Sequence, residues 1–292
     1  MKLHIAAACI AAVLAGCTVG PNYVRPTVDT PPAWRIDYPK AADVANLKWW
    51  QQFGDPVLDD LVETALRDNQ DLRVAAARVD QFIGALTATG SQLYPQIGYG
   101  ADATRARASQ VGMPPLPPTL DPYFSLYNVS LGASWQTDLF GRVRRQTEAA
   151  QAQVYASEQG QRGVVLTLVS GVATSYIVLR SLDRQLEIAR ATAANFQDTL
   201  RIFEARFKHG IISKTELTQV RSQVQQALAA IPQFEQAVAT QENLISILLG
   251  RAPGPIPRGK SIDQLLAPQI PGELPAALLQ RRPDILGAEQ NL

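Results

Sequence analysis

VVLTLVSGVATSYIVLRSLDRQLEIARATAANFQDTLRIFEARFK, residues 164–208, decides the fold. Val165, Leu168, Val172, Ser175, Leu179, Leu182, Leu186, Ala189, Ala193, Phe196, Leu200, Phe203 and Phe207 recur at alternating steps of three and four, with Ser175 the only polar member. A repeat of that period keeps one stripe of a helix against a partner helix, so it reads as a coiled-coil seam. Begun near Arg142, the helix runs over 142–208, about 100 Å at 1.5 Å per residue.

His209-Gly210 ends that run, and Ser213-Lys214-Thr215-Glu216 reads as a capping box opening the next helix, 213–249. Its seam continues through Leu217, Val220, Val224, Ala227, Ile231, Phe234, Val238, Gln241, Ile245 and Leu248 to Gly250. Two seams of one period, separated by a few residues, predict an antiparallel hairpin with its tip at 209–213. Pro232 is expected to kink the second helix.

Upstream, Asp55-Pro56 supplies an N-cap and a first-turn proline, and apolar residues from Leu58 to Leu86 keep helical spacing, predicting one helix over 55–93. The period then falls to two. Ile97, Tyr99, Ala101 and Ala103 alternate with Gln96, Gly98, Gly100 and Asp102; Tyr127, Val129, Leu131, Ala133 and Trp135 alternate with polar or small residues. Strands are expected over 95–106 and 122–139, joined by a surface loop around the prolines 114–118. One apolar and one polar face suits a membrane barrel, and equally a hairpin covering a soluble core.

Residues 1–16 read as a signal peptide: a short apolar core follows Met1-Lys2 and closes on Leu14-Ala15-Gly16-Cys17, a lipobox. The apolar run of about ten residues is too short to span a bilayer. Cys17 is then the lipidation site, carrying a covalent diacylglycerol and an acyl chain, and residues 17–54 form a proline-rich tether. A fortuitous match is the alternative.

With two cysteines and two histidines in 292 residues, Cys- or His-based metal sites are excluded, and a net charge of +1 points away from nucleic acid. No long apolar run follows the signal, so a membrane-spanning part must come from strands. Gly254-Pro-Ile-Pro-Arg-Gly259-Lys260-Ser261 fits a phosphate-binding loop letter for letter, but it follows a helix and its prolines remove two amide donors; a linker is the competing reading. Gly98-Tyr-Gly100 lacks the following helix that a dinucleotide fingerprint needs. No catalytic pattern is present, so no catalytic, cofactor-binding or metal-ligating residue is assigned, and His209 reads as a solvated turn histidine. Trp49, Trp50, Phe53 and Asp55 read as a staple with an N-cap. Arg142, Arg144 and Arg145 oppose the dipole of the helix they open; a lipid-headgroup contact and a solvated collar both fit.

Leu66-Arg-Asp-Asn-Gln-Asp71-Leu72-Arg-Val-Ala75 is echoed by Leu279-Gln-Arg-Arg-Pro-Asp284-Ile285-Leu-Gly-Ala288. The expected organisation is a first repeat over 55–250, a linker over 251–278 and the start of a second, truncated repeat at 279–292.

Together, Cys17 with Gly20-Pro21-Asn22-Tyr23, Trp49-Trp50 with Phe53-Gly54-Asp55-Pro56, Ser134-Trp135 with Asp138-Leu139-Phe140-Gly141, Leu248-Leu249-Gly250 and Arg281-Arg282-Pro283-Asp284-Ile285 resemble the outer membrane factor lipoproteins, the TolC-like exit ducts of efflux pumps. The resemblance implies a mainly α fold with a membrane β-hairpin: a long coiled-coil hairpin plus two strands of a twelve-stranded barrel closed by a homotrimer. It implies an outer-membrane, lipid-anchored channel subunit with a periplasmic helical tunnel, not an enzyme. Its role would be passive export of small molecules, coupled to a periplasmic adaptor (membrane fusion) protein and an inner-membrane pump. The adaptor would meet the tip at Arg206, Gly210, Ile211, Ser213 and Glu216. A non-conducting lipoprotein that bridges the periplasm is the alternative.

Overall fold

The computed structural model describes residues 20–24, 48–109, 111–112, 117, 119–268 and 281–292; Cys17, the signal peptide and most of the tether and of the proline loop lie outside them. Two compact units form, one from Asp80–Tyr155 with residues 20–24, the other from residues 48–79 with Ala156–Leu292. The helices are α1 (Pro56–Asp68), α2 (Gln70–Ser91), α3 (Arg142–Lys208), α4 (Lys214–Leu248) and α5 (Pro283–Gln290); strands β1 (Gln96–Arg107) and β2 (Tyr123–Ser134) lie between α2 and α3.

In the second unit, α1 begins because Asp55 caps it, accepting from the Val57 amide at 3.0 Å, and because Pro56 has no amide to leave unsatisfied. Its buried stripe of Leu58, Leu61, Val62 and Ala65 meets Leu168, Val172, Tyr176 and Leu179 of α3 and Ile245 of α4 in one hydrophobic core. Each large side chain there contributes roughly 1.5–3 kcal/mol by leaving water. A 3₁₀ turn at Trp49–Phe53 sets Trp49 edge-on against Trp50 and Phe53, with centroids 6.2 and 6.3 Å apart.

The seam positions turn inward along α4: Leu217, Val220, Val224 and Ile245 are buried. The polar members of the two seams meet, as Gln241 Nε2 donates to the Ser175 carbonyl at 2.9 Å. A half-buried amide is thereby satisfied in an otherwise apolar stripe. α4 continues as one helix through Pro232. Its end is a Schellman turn: Gly250, at φ +70°, donates to the Ile247 carbonyl, and the Arg251 amide donates to that of Ser246. A Cβ on Gly250 would lie 2.3 Å from the Asp68 carbonyl oxygen, so the glycine also permits close approach to the end of α1.

One helix over 55–93 was expected; two are observed. Asn69 interrupts it with extended backbone (ψ 132°) while its Oδ1 accepts from the Leu72 amide at 3.0 Å and its Nδ2 donates to the Leu248 carbonyl at 2.9 Å. An asparagine that caps the next helix and closes the end of another offers the backbone more than one further helical bond would.

α3 contains a window long and apolar enough to cross a membrane by length and composition. Packing accounts for part of it: Leu168, Val169, Val172, Tyr176 and Leu179 belong to the buried core, while Leu166 and Val178 are exposed.

In the first unit β1 and β2 pair antiparallel from Gln96↔Ser134 to Arg107↔Tyr123. β2 stops at Ser134, short of the expected 139. Trp135 turns its indole Nε1–H to the Leu93 carbonyl (3.1 Å), and Asp138 is taken up by the start of α3.

Candidate membrane hairpin and coiled-coil tip

The register decides which side chains share a face. Ile97/Ala133, Tyr99/Leu131, Ala101/Val129 and Ala103/Tyr127 lie on one face; Gln96/Ser134, Gly98/Gly132, Gly100/Ser130 and Asp102/Asn128 lie on the other, where Asn128 Nδ2 donates to Asp102 Oδ1 at 3.1 Å. The apolar face is covered by nothing among the described residues: Tyr99 is 91 % exposed, Val129 84 % and Leu131 80 %. Among the described residues the hairpin therefore lids no core. From Ile97 to Ala103 the apolar band measures about 20 Å at roughly 3.4 Å per residue, close to the ~25 Å band of membrane barrels. Beyond it the pattern inverts: Phe124 and Leu126 pair with Ala106 and Thr104 on the other face, and the Arg107 guanidinium sits over the Tyr123 ring at 5.7 Å. Each strand has one partner, leaving two unpaired edges in this sheet.

At the start of α3, Asp138 resolves the conflict that three arginines pose to the helix dipole. Its Oδ2 accepts from the Arg144 amide at 3.0 Å, and the Arg144 side chain lies 3.6 Å away. Burial raises the Asp138 pKa, but backbone amides of the first turn outweigh it and hold the carboxyl below its usual range. Arg145 pairs with Glu148 at 2.7 Å and donates to Asn22 Oδ1 at 2.7 Å.

At the other end of α3, Gly210 (φ +72°) donates to the Phe207 carbonyl and the Ile211 amide to that of Arg206 at 3.0 Å, a second Schellman turn. The Arg206 guanidinium lies 5.9 Å from the Phe203 ring centroid. Ile211 is 70 % exposed at the tip. The capping box is complete: the Ser213 amide donates to Glu216 Oε2 at 2.6 Å and the Glu216 amide to Ser213 Oγ at 3.2 Å. The Ser213 amide, and after it the Ser213 side chain, hold the Glu216 carboxyl below its usual pKa. Among the described residues no group of three or more His, Cys, Asp or Glu could hold a metal ion.

The sequence Gly259-Lys260 cradles an anion, but that anion is Asp55. The Lys260 amide donates to Asp55 Oδ2 at 2.9 Å, the Tyr176 hydroxyl donates to the same oxygen at 2.8 Å, and the Gly259 amide donates to the Tyr176 hydroxyl at 2.9 Å. A Cβ at Gly259 would fall 2.0 Å from Asp55 Oδ1. Burial, then the bond to Asp55, pushes the Tyr176 phenol up to about 12. With its donors turned onto an internal carboxylate, the loop has lost the cradle a nucleotide phosphate requires.

Sequence reasoning missed this node and its neighbour, in which Arg258 bridges Asp183 (Nε–Oδ2, 3.0 Å) and Glu242 while Arg180 holds Asp183 at 2.5 Å. The available signal was the pair of carboxylates, Asp183 and Glu242, flanking apolar seams, with the arginine of a supposed linker to match.

Residues 61–251 match the outer membrane efflux protein family. The toluene efflux pump outer membrane protein TtgF of Pseudomonas putida is 32 % identical over 309 aligned positions, covering 100 % of this chain and 62 % of that protein. The cation efflux system protein CusC of Escherichia coli is 29 % identical, covering 97 % of this chain and 61 % of its own length. The open-state structure of the Neisseria gonorrhoeae MtrE outer membrane channel superposes with a TM-score of 0.78 at 26 % identity, covering 94 % of this chain and 61 % of that one. Over the part superposed, the mainly α fold of this chain, with its β-hairpin, is the fold of that channel chain. This chain belongs to the outer membrane efflux protein family, a family of transport proteins, and it spans about six-tenths of the length of the relatives it matches.

Proposed function

We propose that the protein is an outer-membrane channel subunit of a tripartite efflux system, passing small molecules passively across the outer membrane through a duct closed by three copies. The observation that carries this is the β-hairpin: an apolar face about 20 Å tall that nothing among the described residues covers, backed by a face of glycine, serine, asparagine and aspartate. Two strands cannot close a barrel, so their unpaired edges require more strands from a repeat or from other copies. The coiled coil supports the rest of the reading: α4 alone, at 35 residues, is about 50 Å long.

In this reading Cys17 carries a diacylglycerol and an acyl chain that tether the proline-rich segment at the membrane. Arg206, Gly210, Ile211, Ser213 and Glu216 meet a periplasmic adaptor joined to an inner-membrane pump. Ile211 supports that assignment, because an exposed isoleucine on a rigidly capped turn is a ready contact. Single-channel recording of the full-length protein in planar bilayers tests the function. Discrete conductance steps are expected; stable insertion with no conductance would favour a structural, periplasm-bridging lipoprotein instead.

A further inference from the structure

The collar where β2 gives way to α3 carries features that neither pairing nor packing in its unit uses. Trp135, Leu139 and Phe140 are 61 %, 58 % and 74 % exposed. Trp135 directly follows the last ladder pair, Gln96↔Ser134, at the end of the hairpin. Its one polar atom is satisfied by the Leu93 carbonyl, leaving an aromatic surface fixed in place. Beside it, the Arg142 guanidinium reaches only the Gln136 amide oxygen, at 3.4 Å, and has no carboxylate partner among the described residues. Arg144 and Arg145, by contrast, are neutralised by Asp138 and Glu148.

We propose that this collar is a phospholipid-headgroup site, in which Arg142 binds the phosphate of an anionic lipid while Trp135, Leu139 and Phe140 lie at the headgroup–acyl boundary. The inference rests on the outer-membrane reading above. Three observations select a bilayer surface as occupant. The patch adjoins the end of the hairpin whose apolar face is exposed. Its charge is the complement of an anionic headgroup, and aromatic residues beside a cation suit the interfacial layer. Asn22 is also held there, its Oδ1 accepting from Arg145 at 2.7 Å. The α3 amides do not form the site, since Asp138 already occupies the first turn. The guanidinium does.

The test uses the full-length protein in vesicles of phosphatidylethanolamine with a minority of phosphatidylglycerol. Spin-labelled phosphatidylglycerol should associate with the protein in preference to spin-labelled phosphatidylcholine, and Arg142→Gln should reduce that preference roughly fivefold, while Arg201→Gln on the coiled coil leaves it unchanged. Tryptophan quenching by lipid brominated near the headgroup should lose one component in Trp135→Phe. Insertion with equal lipid preference in wild type and Arg142→Gln, or no Trp135 component, overturns the inference alone. A Phe140→Ala variant that alters association between copies and not lipid contact overturns it as well. Failure of the protein to enter the vesicles at all overturns the outer-membrane reading instead.

Discussion

The Tyr176 hydroxyl donates to Asp55 Oδ2 at 2.8 Å across 121 positions of sequence, tying the cap of α1 to the coiled-coil seam. Asp55 is fully buried and accepts from Val57, Tyr176 and Lys260 together. A carboxylate so placed holds three segments in register because each supplies a donor that burial would otherwise leave unmatched.

Removing the phenolic hydroxyl should expose that dependence. Tyr176→Phe is expected to lower stability by about 1–3 kcal/mol, since it removes one of two donors to the buried Asp55 Oδ2 and leaves the Gly259 amide without its acceptor. Urea unfolding followed by circular dichroism reads it; an unchanged midpoint would show the bond to be dispensable.

Gly259 and Gly254 sit in one loop with opposite tolerances. Gly259→Ala drives a Cβ into Asp55 Oδ1 and should cost several times more stability than Gly254→Ala, whose nearest neighbour is 4.0 Å away. The latter should stay within about 0.5 kcal/mol of wild type. Fluorescent ATP should bind neither variant nor the parent, and saturable binding abolished by Lys260→Ala would restore the nucleotide reading.

On the β-hairpin the two faces should respond differently to charge. Val129→Arg on the apolar face is expected to cost about 2–4 kcal/mol of insertion free energy, while Ser130→Arg, one position on, is tolerated. Folding into vesicles from urea, scored by protease protection, gives the comparison.

The tip should loosen in acid. Glu216 has its pKa lowered by the Ser213 amide, so its contribution is present above the unfolded carboxylate value, about 4.3, and is lost as pH falls through the folded value. Glu216→Gln keeps an acceptor without the titration and should flatten the dependence. The Ser213 amide proton shift against pH reports it directly.

The long hairpin was legible because its signal repeats: every third or fourth residue from Val165 to Leu248 points the same way, and tertiary packing only had to agree. The strands were legible for the same reason over 97–103 and 127–133, and less so at Trp135, where one indole bond to Leu93 ends the ladder. Single residues with non-local partners were not legible. Asn69 splits a helix through a carbonyl of Leu248, and Asp55 looks like an ordinary cap until Tyr176 and Lys260 arrive from far along the chain. The phosphate-loop match failed for the same reason, because what its amides face is set by tertiary structure.

The central claim is that β1 and β2 place one face in lipid. The most direct measurement is a nitroxide scan of Ile97 to Ala103 and Tyr127 to Ala133 in the full-length, membrane-reconstituted protein, comparing accessibility to oxygen and to a water-soluble nickel chelate. Oxygen contact should peak at Ile97, Tyr99, Ala101, Val129 and Leu131 and the chelate at Gly98, Gly100, Ser130 and Gly132. Water accessibility at both sets, without alternation, would contradict the account.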